Sequence, residues 1–291
     1  MTSTTVHLPA RGRFGRSLLV LVATLALVTG ACGDDDEDDA GGEPSSTTAA
    51  GGTPVTGTDL QTVQSGKLTA CTDVPYAPFE FEEDGQFDGI DIELVKAVAA
   101  RLSLSPEFKD VDFDTIFTAL NAGQCDIVAS SVSITEERLE TLDFTEGYFR
   151  INQSLLVRKG DEAKYDELEK LSGRTIGVQS ETTGAAFAKE NAAGATIREF
   201  TGADELFTAL KAGQVDAALQ DLPVNAYHAT TTGETVVAKT FTEAEQEQYG
   251  FAMKKGSPLK ASLDDALRQV KSDDTYPTIL RRFLGDTAGQ I

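Results

Sequence analysis

The sequence predicts an α/β protein made of two lobes, each a mostly parallel sheet flanked by helices. From Lys67 onward, short β-branched or apolar runs alternate with amphipathic helical stretches, which is the pattern of parallel sheets covered by helices. The segment 116–126 also returns ninety residues later as 206–216, with eight of eleven positions identical. A period of this length that occurs twice is too long for a solenoid, and it indicates two lobes built on one plan.

The first lobe is predicted to begin with a strand at Lys67–Thr72. Aromatic residues around a turn at Asp84 and Gly85 predict a small hairpin over 79–87. A helix is predicted next from four apolar residues at helical spacing, which are Leu94, Val95, Val98 and Leu102. The strands expected around the second copy of the repeat are 175–178 and 217–219.

The first copy of the repeat is predicted to carry a helix and the strand that follows it. The helix spans 113–122, with Asp112 or Asp114 as its cap and Gly123 as its stop. The next strand is expected at 126–129.

The chain is strongly acidic, with 25 Lys and Arg against 47 Asp and Glu and a formal net charge of -22. A nucleic-acid backbone would repel such a chain and an anionic membrane surface would disfavour it, so neither is expected as a partner. The acidity is explained by solubility or by attraction of a cationic ligand, and solubility is the more ordinary explanation.

The first 31 residues are predicted to be an export signal. Three arginines precede an apolar run at 18–28 that is too short to span a bilayer as a mature helix. The small residues before Cys32 resemble a bacterial lipobox, in which the cysteine becomes the lipidated first residue, although Thr29 stands where Leu is usual. The alternative is ordinary cleavage of a signal peptide, in which Cys32 is not lipidated and has no special role. Residues 32–59 are acidic and rich in small residues, which predicts a disordered tether.

Cys71 and Cys125 are the cysteines of the folded part. An exported compartment permits a disulfide between them. In the predicted register, however, Cys71 lies near the end of one parallel strand and Cys125 before the start of another, an offset of roughly 10 Å at about 3.3 Å per residue. The register therefore predicts two unpaired cysteines.

Ligands of open α/β sheets bind outside the carboxyl ends of the strands. Ser130 and Ser131 follow the strand of the first copy, and Gln220 and Asp221 follow the matching strand of the second. If the lobes face one another, these two loops meet across a cleft. Asp221 stands at the end of a buried strand just before Pro223, where it can bind an ammonium group or serve as a helix cap or turn residue.

An amino-acid zwitterion needs a carboxylate for its ammonium group and hydrogen-bond donors for its carboxylate. Ser133 and Glu136 have the spacing of a capping box, which predicts a helix whose free N–H groups point at the strand ends. Arg138, one turn into this helix, can reach back with two donors, or it can be an ordinary solvated arginine.

The loop after the first strand is a candidate wall of the cleft. It contains Asp73, Tyr76 and Phe79, with Pro75 and Pro78 between them. Aromatic side chains there can clamp a ligand side chain, although core packing is the ordinary fate of a residue such as Phe79.

Several short motifs occur along the chain in a characteristic order, and their segments are 72–79, 89–94, 133–138, 177–183, 220–221, 274–276 and 282–283. With these motifs, residues 67–285 resemble family 3 extracellular solute-binding proteins, the periplasmic glutamine-, histidine- and lysine/arginine/ornithine-binding type. No single motif is specific, but their order and spacing together are. The resemblance covers essentially the whole folded part.

The resemblance implies a two-lobed fold of the type II periplasmic-binding-protein class with two hinge crossings. The crossings are expected at 148–152 and 246–250. Lobe 1 would then comprise 60–150 plus 248–291, and lobe 2 would comprise 151–247. Closure about such crossings would bury a ligand.

The resemblance also implies a role for each candidate residue. In that family, the position of Arg138 binds the ligand α-carboxylate, helped by those of Ser133 and Thr183. The position of Asp221, together with that of Ser131, binds the α-ammonium group. The positions around the ligand side chain correspond to Asp73, Tyr76, Phe113, Gln179 and Gln220.

The function implied is that of a monomeric binding protein that presents a polar amino acid to an ABC permease and its ATPase. It would be tethered by a lipid to the outer face of the cytoplasmic membrane and would use no cofactor or metal. Asp73, Tyr76 and Gln220 favour a basic or amide side chain, and Phe113 suits a glutamine-like ligand. Glu181 departs from the family, in which Gly is frequent at this loop position.

Two other functions stay open. Cyclohexadienyl dehydratases share this scaffold, but the chain has two histidines, His7 in the signal and His228 beyond the Asp221 loop, and no spacing typical of a nucleophile with its base. A sensor ectodomain would carry a transmembrane helix and a cytoplasmic module, and no such pattern follows Gly285. The prediction is therefore a binding protein and not an enzyme.

Overall fold

The computed structural model describes residues 60–242 and 246–285. The predicted signal peptide, the candidate lipidation site Cys32 and the tether at 32–59 lie outside these residues. Within the described part, none of the helices combines the length and the apolar character needed to cross a bilayer.

The described residues form fourteen strands and eight α-helices. The strands are β1 (Lys67–Thr72), β2 (Phe81–Glu83), β3 (Gln86–Asp88), β4 (Ser105–Asp110), β5 (Ile127–Val128), β6 (Leu142–Phe144), β7 (Phe149–Ile151), β8 (Gln153–Arg158), β9 (Thr175–Gln179), β10 (Thr196–Phe200), β11 (Ala217–Asp221), β12 (Thr235–Thr240), β13 (Glu247–Tyr249) and β14 (Ala252–Lys254). The helices are α1 (Ile90–Arg101), α2 (Phe113–Asn121), α3 (Glu136–Thr141), α4 (Thr183–Asn191), α5 (Ala203–Lys211), α6 (Leu222–Thr232), α7 (Lys260–Ser272) and α8 (Thr275–Leu284).

The strands form two five-stranded sheets built on the same plan. The first has the order β4-β1-β5-β14-β6 and the second the order β10-β9-β11-β8-β12. In each sheet the first three strands are parallel, and the fourth is antiparallel to both of its neighbours. Four of the five strands in each sheet therefore point the same way, and the predicted α/β fold with mostly parallel sheets is confirmed.

The fourth strand of each sheet follows directly on a segment that crosses from the other sheet. β7 leads into β8 of the second sheet, and β13 leads into β14 of the first. β7 and β13 pair antiparallel, with Tyr249 opposite Phe149 and Glu247 opposite Ile151. We call this pair the hinge ladder, and we call the residues around the first and second sheets lobe 1 and lobe 2.

The two copies of the repeat adopt the same local structure. α2 and α5 are both followed by a glycine in the left-handed region, Gly123 with φ 76° and Gly213 with φ 72°, a conformation that residues with a Cβ rarely adopt. Asp126 and Asp216 then each accept a backbone N–H from the neighbouring first strand, at 2.8 Å and 2.9 Å. Each copy of the repeat thus specifies a helix, the glycine that ends it, and an aspartate whose hydrogen bond to the first strand fixes the register of the next strand.

Cys71 and Cys125 form a disulfide, so the prediction of two unpaired cysteines is wrong. Their Cα atoms are 5.8 Å apart, a separation that a disulfide accommodates. The prediction extended Cys125 backwards along the strand axis, whereas β5 begins only at Ile127 and the preceding residues turn away from the strand direction. Cys125 thereby joins Cys71 in the apolar layer beneath α2.

Apolar layers cover both faces of each sheet. In lobe 1, α1 and α7 pack on one face and α2 on the other. In lobe 2, α4 covers one face and α5 the other. The carboxyl ends of the parallel strands are left for the loops that form the site.

Candidate ligand-binding site

The carboxyl ends of the parallel strands of the two lobes face a common cleft. Ten of the eleven predicted site residues line it, and Thr182 joins them. The lining residues are Asp73, Tyr76, Phe113, Ser130, Ser131, Ser133, Arg138, Gln179, Thr182, Thr183 and Asp221.

Helix α3 carries Arg138 but begins later than predicted. Thr135 is its N-cap and accepts the N–H of Arg138 at 3.2 Å, so the predicted capping box of Ser133 with Glu136 is wrong. Ser133 is held in extended conformation by a bridge to Tyr249 of the hinge ladder. This pairing delays the turn into a helix by two residues.

The guanidinium group of Arg138 points into the cleft. It donates to the carbonyl oxygens of Ser133 at 2.9 Å and of Glu181 at 3.1 Å. Its carbon lies 5.7 Å and 5.4 Å from the ring centroids of Phe113 and Phe117, which holds the cation over aromatic faces.

Burial lowers the pKa of Arg138, and the carboxylates of Glu247 and Asp221 act in the opposite direction. Arg138 is therefore a half-buried cation that faces the cleft and not an ordinary surface arginine.

Asp221 is the buried carboxylate of lobe 2. It stands at the N-cap of α6 without capping that helix through its side chain. Its carboxylate instead accepts hydrogen bonds from Tyr76 at 3.0 Å, from Gln153 at 2.6 Å and from the hydroxyl of Tyr249. Burial, followed by the charge of Glu247, raises the pKa of Asp221 to about 6, against the lowering effect of these donors.

A second carboxylate, Asp73, also lines the cleft. Its backbone N–H donates to the hydroxyl of Ser130 at 2.9 Å, and its side chain accepts from Gln179 of lobe 2 at 2.6 Å. Burial raises the pKa of Asp73 to about 7, with smaller contributions from Asp110 and Asp112. The cleft thus contains two acids, Asp73 and Asp221, together with the guanidinium group of Arg138.

Residues 68–286 match the family of bacterial extracellular solute-binding proteins, family 3. The chain belongs to this family. Its members bind solutes outside the cytoplasm, in agreement with a cleft lined from two lobes, and the resemblance inferred from the motifs is confirmed.

Relatives of this solute-binding protein carry names from amino-acid transport. It is 32% identical over 222 residues to the probable histidine-binding protein of Neisseria gonorrhoeae, covering 74% of this chain and 82% of the relative. It is 33% identical over 206 residues to the ABC transporter glutamine-binding protein GlnH of Bacillus subtilis, covering 69% and 74%. The crystal structure of AncCDT-1, an ancestral amino acid-binding protein and precursor of cyclohexadienyl dehydratase, superposes with a TM-score of 0.70 at 36% identity, covering 75% and 95%.

Behind the serines of this solute-binding protein lies a buried acid pair that the sequence reasoning missed. Ser130 and Ser131 donate their hydroxyls to Glu80, each at 3.2 Å, and the Ser131 N–H donates to Asp91 at 2.8 Å. Tyr148 also donates to Asp91, at 2.6 Å. Burial raises the pKa of Glu80, and it raises that of Asp91 to about 7. In the sequence, Glu80 stands between two aromatic residues of the predicted hairpin, and this position could have indicated a buried carboxylate.

The loop of lobe 2 that meets Arg138 contains Glu181 and leads into α4, which begins at Thr183. Glu181 adopts φ 60°, the left-handed conformation for which glycine is favoured, and its carbonyl accepts from Arg138. Thr182 caps α4 by accepting the N–H of Ala185 at 3.0 Å. Glu181 therefore adopts a backbone conformation that favours glycine, at the position where the resemblance implies a frequent Gly.

Gln220 is the one predicted site residue that does not line the cleft. It is buried, its carbonyl accepts from Ser154 at 3.0 Å, and its side-chain nitrogen has no partner among the described residues. Along β11 side chains alternate between faces, so Gln220 points away from the face that presents Asp221. The sequence reasoning assigned both neighbours to one pocket, whereas the strand separates them.

Three further polar side chains around Asp221 were not predicted as site residues: Gln153, Glu247 and Tyr249. Gln153 begins β8, and the other two belong to β13 of the hinge ladder. The crossing expected at 246–250 was the signal that could have found two of them.

Proposed function

We propose that this protein is the extracytoplasmic binding protein of an amino-acid ABC importer. It captures a polar L-amino acid between its lobes and presents it to the permease and ATPase. The observation that carries the proposal is the presence of opposite charges in one cleft, the guanidinium group of Arg138 from lobe 1 and the carboxylate of Asp221 from lobe 2. A zwitterion complements both at once.

Each end of the zwitterion has its own set of groups in this proposal. Arg138, Ser133 and Thr183 bind the α-carboxylate, because the first gives two charged donors and the others line the same cleft from opposite lobes. Asp221 and the hydroxyl of Ser131 bind the α-ammonium group. Asp221 already accepts three donors in the cleft, and the ammonium group replaces some of them as it enters.

The ligand side chain lies toward Asp73 in this proposal, among groups that favour a donor. Asp73 accepts from Gln179, and Asp110 and Asp112 add negative charge nearby. The remaining predicted contacts that line the cleft are Tyr76, Phe113 and Ser130. An amide or basic side chain supplies the donors that this end requires, in keeping with the histidine- and glutamine-binding names of the relatives.

Capture proceeds by closure of the lobes about the hinge ladder. Lobe 1 would comprise 60–150 plus 248–291, and lobe 2 would comprise 151–247. Contacts of Tyr76 with Asp221 and of Asp73 with Gln179 join the lobes directly, which supports a closed arrangement. Opening would break these bonds and expose the cleft, and small-angle scattering with and without ligand measures the difference.

The location proposed is the outer face of the cytoplasmic membrane. The protein would be exported by its signal peptide, lipidated at Cys32, tethered by residues 32–59, and monomeric. Mass spectrometry of the mature N-terminus tests the anchor, and an unmodified Cys32 would contradict it.

The decisive experiment is a thermal-shift screen of the twenty amino acids, followed by calorimetry. A ligand that binds only the folded state raises the apparent unfolding temperature. We expect a rise with polar amino acids that carry an amide or basic side chain and none with aliphatic ones. No rise with any amino acid would contradict the proposal.

An enzyme on the same scaffold is the second candidate, because the superposed ancestral structure precedes a dehydratase and Asp221 and Asp73 have pKa values of about 6 and 7. Such acids can transfer protons near neutral pH. We infer binding without turnover, since the acids are explained by burial and by partners across the cleft. Product formation from prephenate or arogenate would overturn this choice.

A further inference from the structure

Asp221 shares its hydrogen-bonding partner with a second carboxylate. The side-chain nitrogen of Gln153 lies 2.6 Å from Oδ1 of Asp221 and 2.9 Å from Oε1 of Glu247, and 3.3 Å from the hydroxyl of Thr183. An amide nitrogen has two hydrogens, so it cannot serve three acceptors well. One amide therefore bridges two carboxylates in a cluster that is short of donors.

The same cluster contains acceptors that no described residue satisfies. The other carboxylate oxygen of Glu247 and the amide oxygen of Gln153 are both buried and without a hydrogen-bond partner in the described part of the chain. Gln153 is only 3% exposed. Unpaired buried acceptors destabilise a protein, which makes a site of this kind selective for a group that donates several hydrogen bonds.

The charges of the cluster are also unbalanced. After burial, Glu247 is the largest cause of the raised pKa of Asp221, and it is the largest of the carboxylates that oppose the lowering of the pKa of Arg138. The other polar groups that face Asp221 are Tyr76 from the loop after β1, Tyr249 from β13 and Gln153 from β8. An alkylammonium group supplies three donors and one positive charge, which is what two carboxylates around one amide require.

We propose that Glu247 and Gln153 complete the ammonium subsite. Asp221 binds the ligand ammonium directly, Gln153 orients Asp221, and Glu247 supplies a second negative charge from the hinge ladder. Glu247 is thus a positioning residue that selects a fully protonated amine and makes affinity depend on pH. The inference rests on the proposed function and assigns this role to residues that the family resemblance left without one.

The pH dependence has a definite sign. Asp221 must be ionised to attract an ammonium group, so affinity falls as the pH drops through about 6 and the free site takes up a proton. Ligand binding at such a pH releases that proton. Replacing Glu247 by Gln keeps an acceptor for Gln153 but removes the charge, which weakens attraction for the ligand and at the same time lowers the pKa of Asp221.

The test is calorimetry of the wild type and of Glu247→Gln with L-arginine and L-glutamine, at intervals from pH 4.5 to 8. We expect the variant to bind about tenfold more weakly at pH 8, a change equivalent to about 1.4 kcal/mol. At pH 5 the difference should shrink or reverse, because Asp221 of the variant stays ionised to lower pH. A purely structural defect would weaken binding equally at every pH.

Controls separate this role from the general effect of charge and from misfolding. Glu234→Gln removes one negative charge from an exposed residue of lobe 2 that pairs with Lys211 at 2.7 Å, and it should leave the profile unchanged. Glu247→Asp keeps the charge and should retain the wild-type pH dependence. N-acetylated L-arginine and L-glutamine, which lack the ammonium group, should bind at least a hundredfold more weakly to the wild type.

The outcomes distinguish this inference from the proposed function. Failure of the wild type to bind any amino acid contradicts the proposed function. Binding by the wild type with an affinity that is flat from pH 5 to 8, or a Glu247→Gln profile that coincides with the wild type, overturns the role of Glu247 while the proposed function stands. If Glu247→Gln does not fold, the wild-type profile and Glu247→Asp decide.

Discussion

Lobe 1 and lobe 2 share a backbone plan but differ where helix meets sheet beside the repeat. In lobe 1, Cys125 is bonded to Cys71. In lobe 2, the repeat places Val215 at the equivalent of Cys125, and the sheet register places Gly177 at the equivalent of Cys71. A Cβ on Gly177 would lie 2.3 Å from a methyl carbon of Leu206, so α5 packs directly on the strand. The turn between helix and strand is therefore fixed by a disulfide in lobe 1 and by close packing of the helix on the strand in lobe 2.

The difference between the lobes continues at the strand tips. Ser131 and Asp221 each stand five residues after the last residue of the repeat, and they are therefore equivalent positions that carry a hydroxyl in one lobe and a carboxylate in the other. Ser131 is backed by the acids Glu80 and Asp91, whereas Asp221 is backed by the amide of Gln153. The residues of the repeat form the same scaffold in both lobes, whereas the side chains that differ in chemistry between the lobes come after the repeat.

The largest expected effect concerns the disulfide that distinguishes lobe 1. Replacing Cys71→Ala together with Cys125→Val gives lobe 1 an uncrosslinked interior like that of lobe 2. The bond spans 54 residues, and a loop of that size predicts a loss of about 4 kcal/mol in the free energy of unfolding. Urea denaturation measures it, with reduced wild type as the control. An unchanged midpoint would mean that packing alone holds α2, as it holds α5.

The second prediction concerns Glu80 and Asp91, the buried acids that accept hydrogen bonds from the serines at the strand ends of lobe 1. A carboxyl group whose folded pKa exceeds its unfolded value stabilises the fold below the unfolded pKa, and the contribution is lost as pH rises through the folded pKa. Burial raises the pKa of Asp91 from 3.8 to about 7. The free energy of unfolding should thus contain a term that falls between pH 4 and 7, on the order of 3 kcal/mol.

Asp91→Asn should remove most of that slope, because the amide keeps an oxygen for the N–H of Ser131 and for Tyr148 while it cannot ionise. Urea denaturation of both proteins at several pH values provides the measurement. Equal slopes in the variant and the wild type would show that Asp91 does not hold the proton, and Glu80→Gln would then be the variant to compare.

Binding at the cleft gives the third prediction. Arg138→Ala should weaken amino-acid affinity about a hundredfold or more, because it leaves the ligand carboxylate without its charged donor. Arg198→Ala is the matched control, since Arg198 lies 4.7 Å from the ring centroid of Phe200 on the exposed side of lobe 2. Calorimetry measures both, with circular dichroism to verify folding. Equal affinity of Arg138→Ala and Arg198→Ala would show that Arg138 does not bind the ligand.

Much of the fold was predictable because its signals are local. The helix stops at Gly123 and Gly213 follow from the repeat itself, and the strand Lys67–Thr72 has the predicted bounds. The hairpin also forms about its predicted turn, between β2 and β3. Periodicity and turn chemistry act over a few residues, and the sequence displays them directly.

The failures involve contacts between segments distant in sequence. Cys125 meets Cys71 because the chain turns away from the strand direction before β5, and the start of α3 shifts to Thr135 because Ser133 pairs with Tyr249, 116 residues away. Glu247 lies near Asp221 through the hinge ladder. Local patterns carry no information about such pairings, so these parts of the site were missed or misplaced.

A smaller effect tests the close contact that replaces the disulfide in lobe 2. Gly177→Ala should destabilise the protein by about 2 kcal/mol, because the new methyl group collides with Leu206 and lies 3.3 Å from Val215. The penalty should shrink in a Leu206→Ala background, which makes room for it, and a double-mutant cycle measures the coupling. Additive effects would show that α5 moves away freely and that the interior of lobe 2 is not tightly packed.

The smallest expected effect concerns the loop of lobe 2 that meets Arg138. Glu181 adopts φ 60°, a conformation that disfavours side chains with a Cβ, so Glu181→Gly should raise the free energy of unfolding by about 0.5–1 kcal/mol. Affinity should not change, because Arg138 contacts the backbone carbonyl at this position. Ser103→Gly, at φ 56° in an exposed turn of lobe 1, is the control for backbone relief away from the cleft. A fall in affinity specific to Glu181→Gly would mean that the carboxylate of Glu181 itself, and not the shape of its loop, positions the guanidinium group.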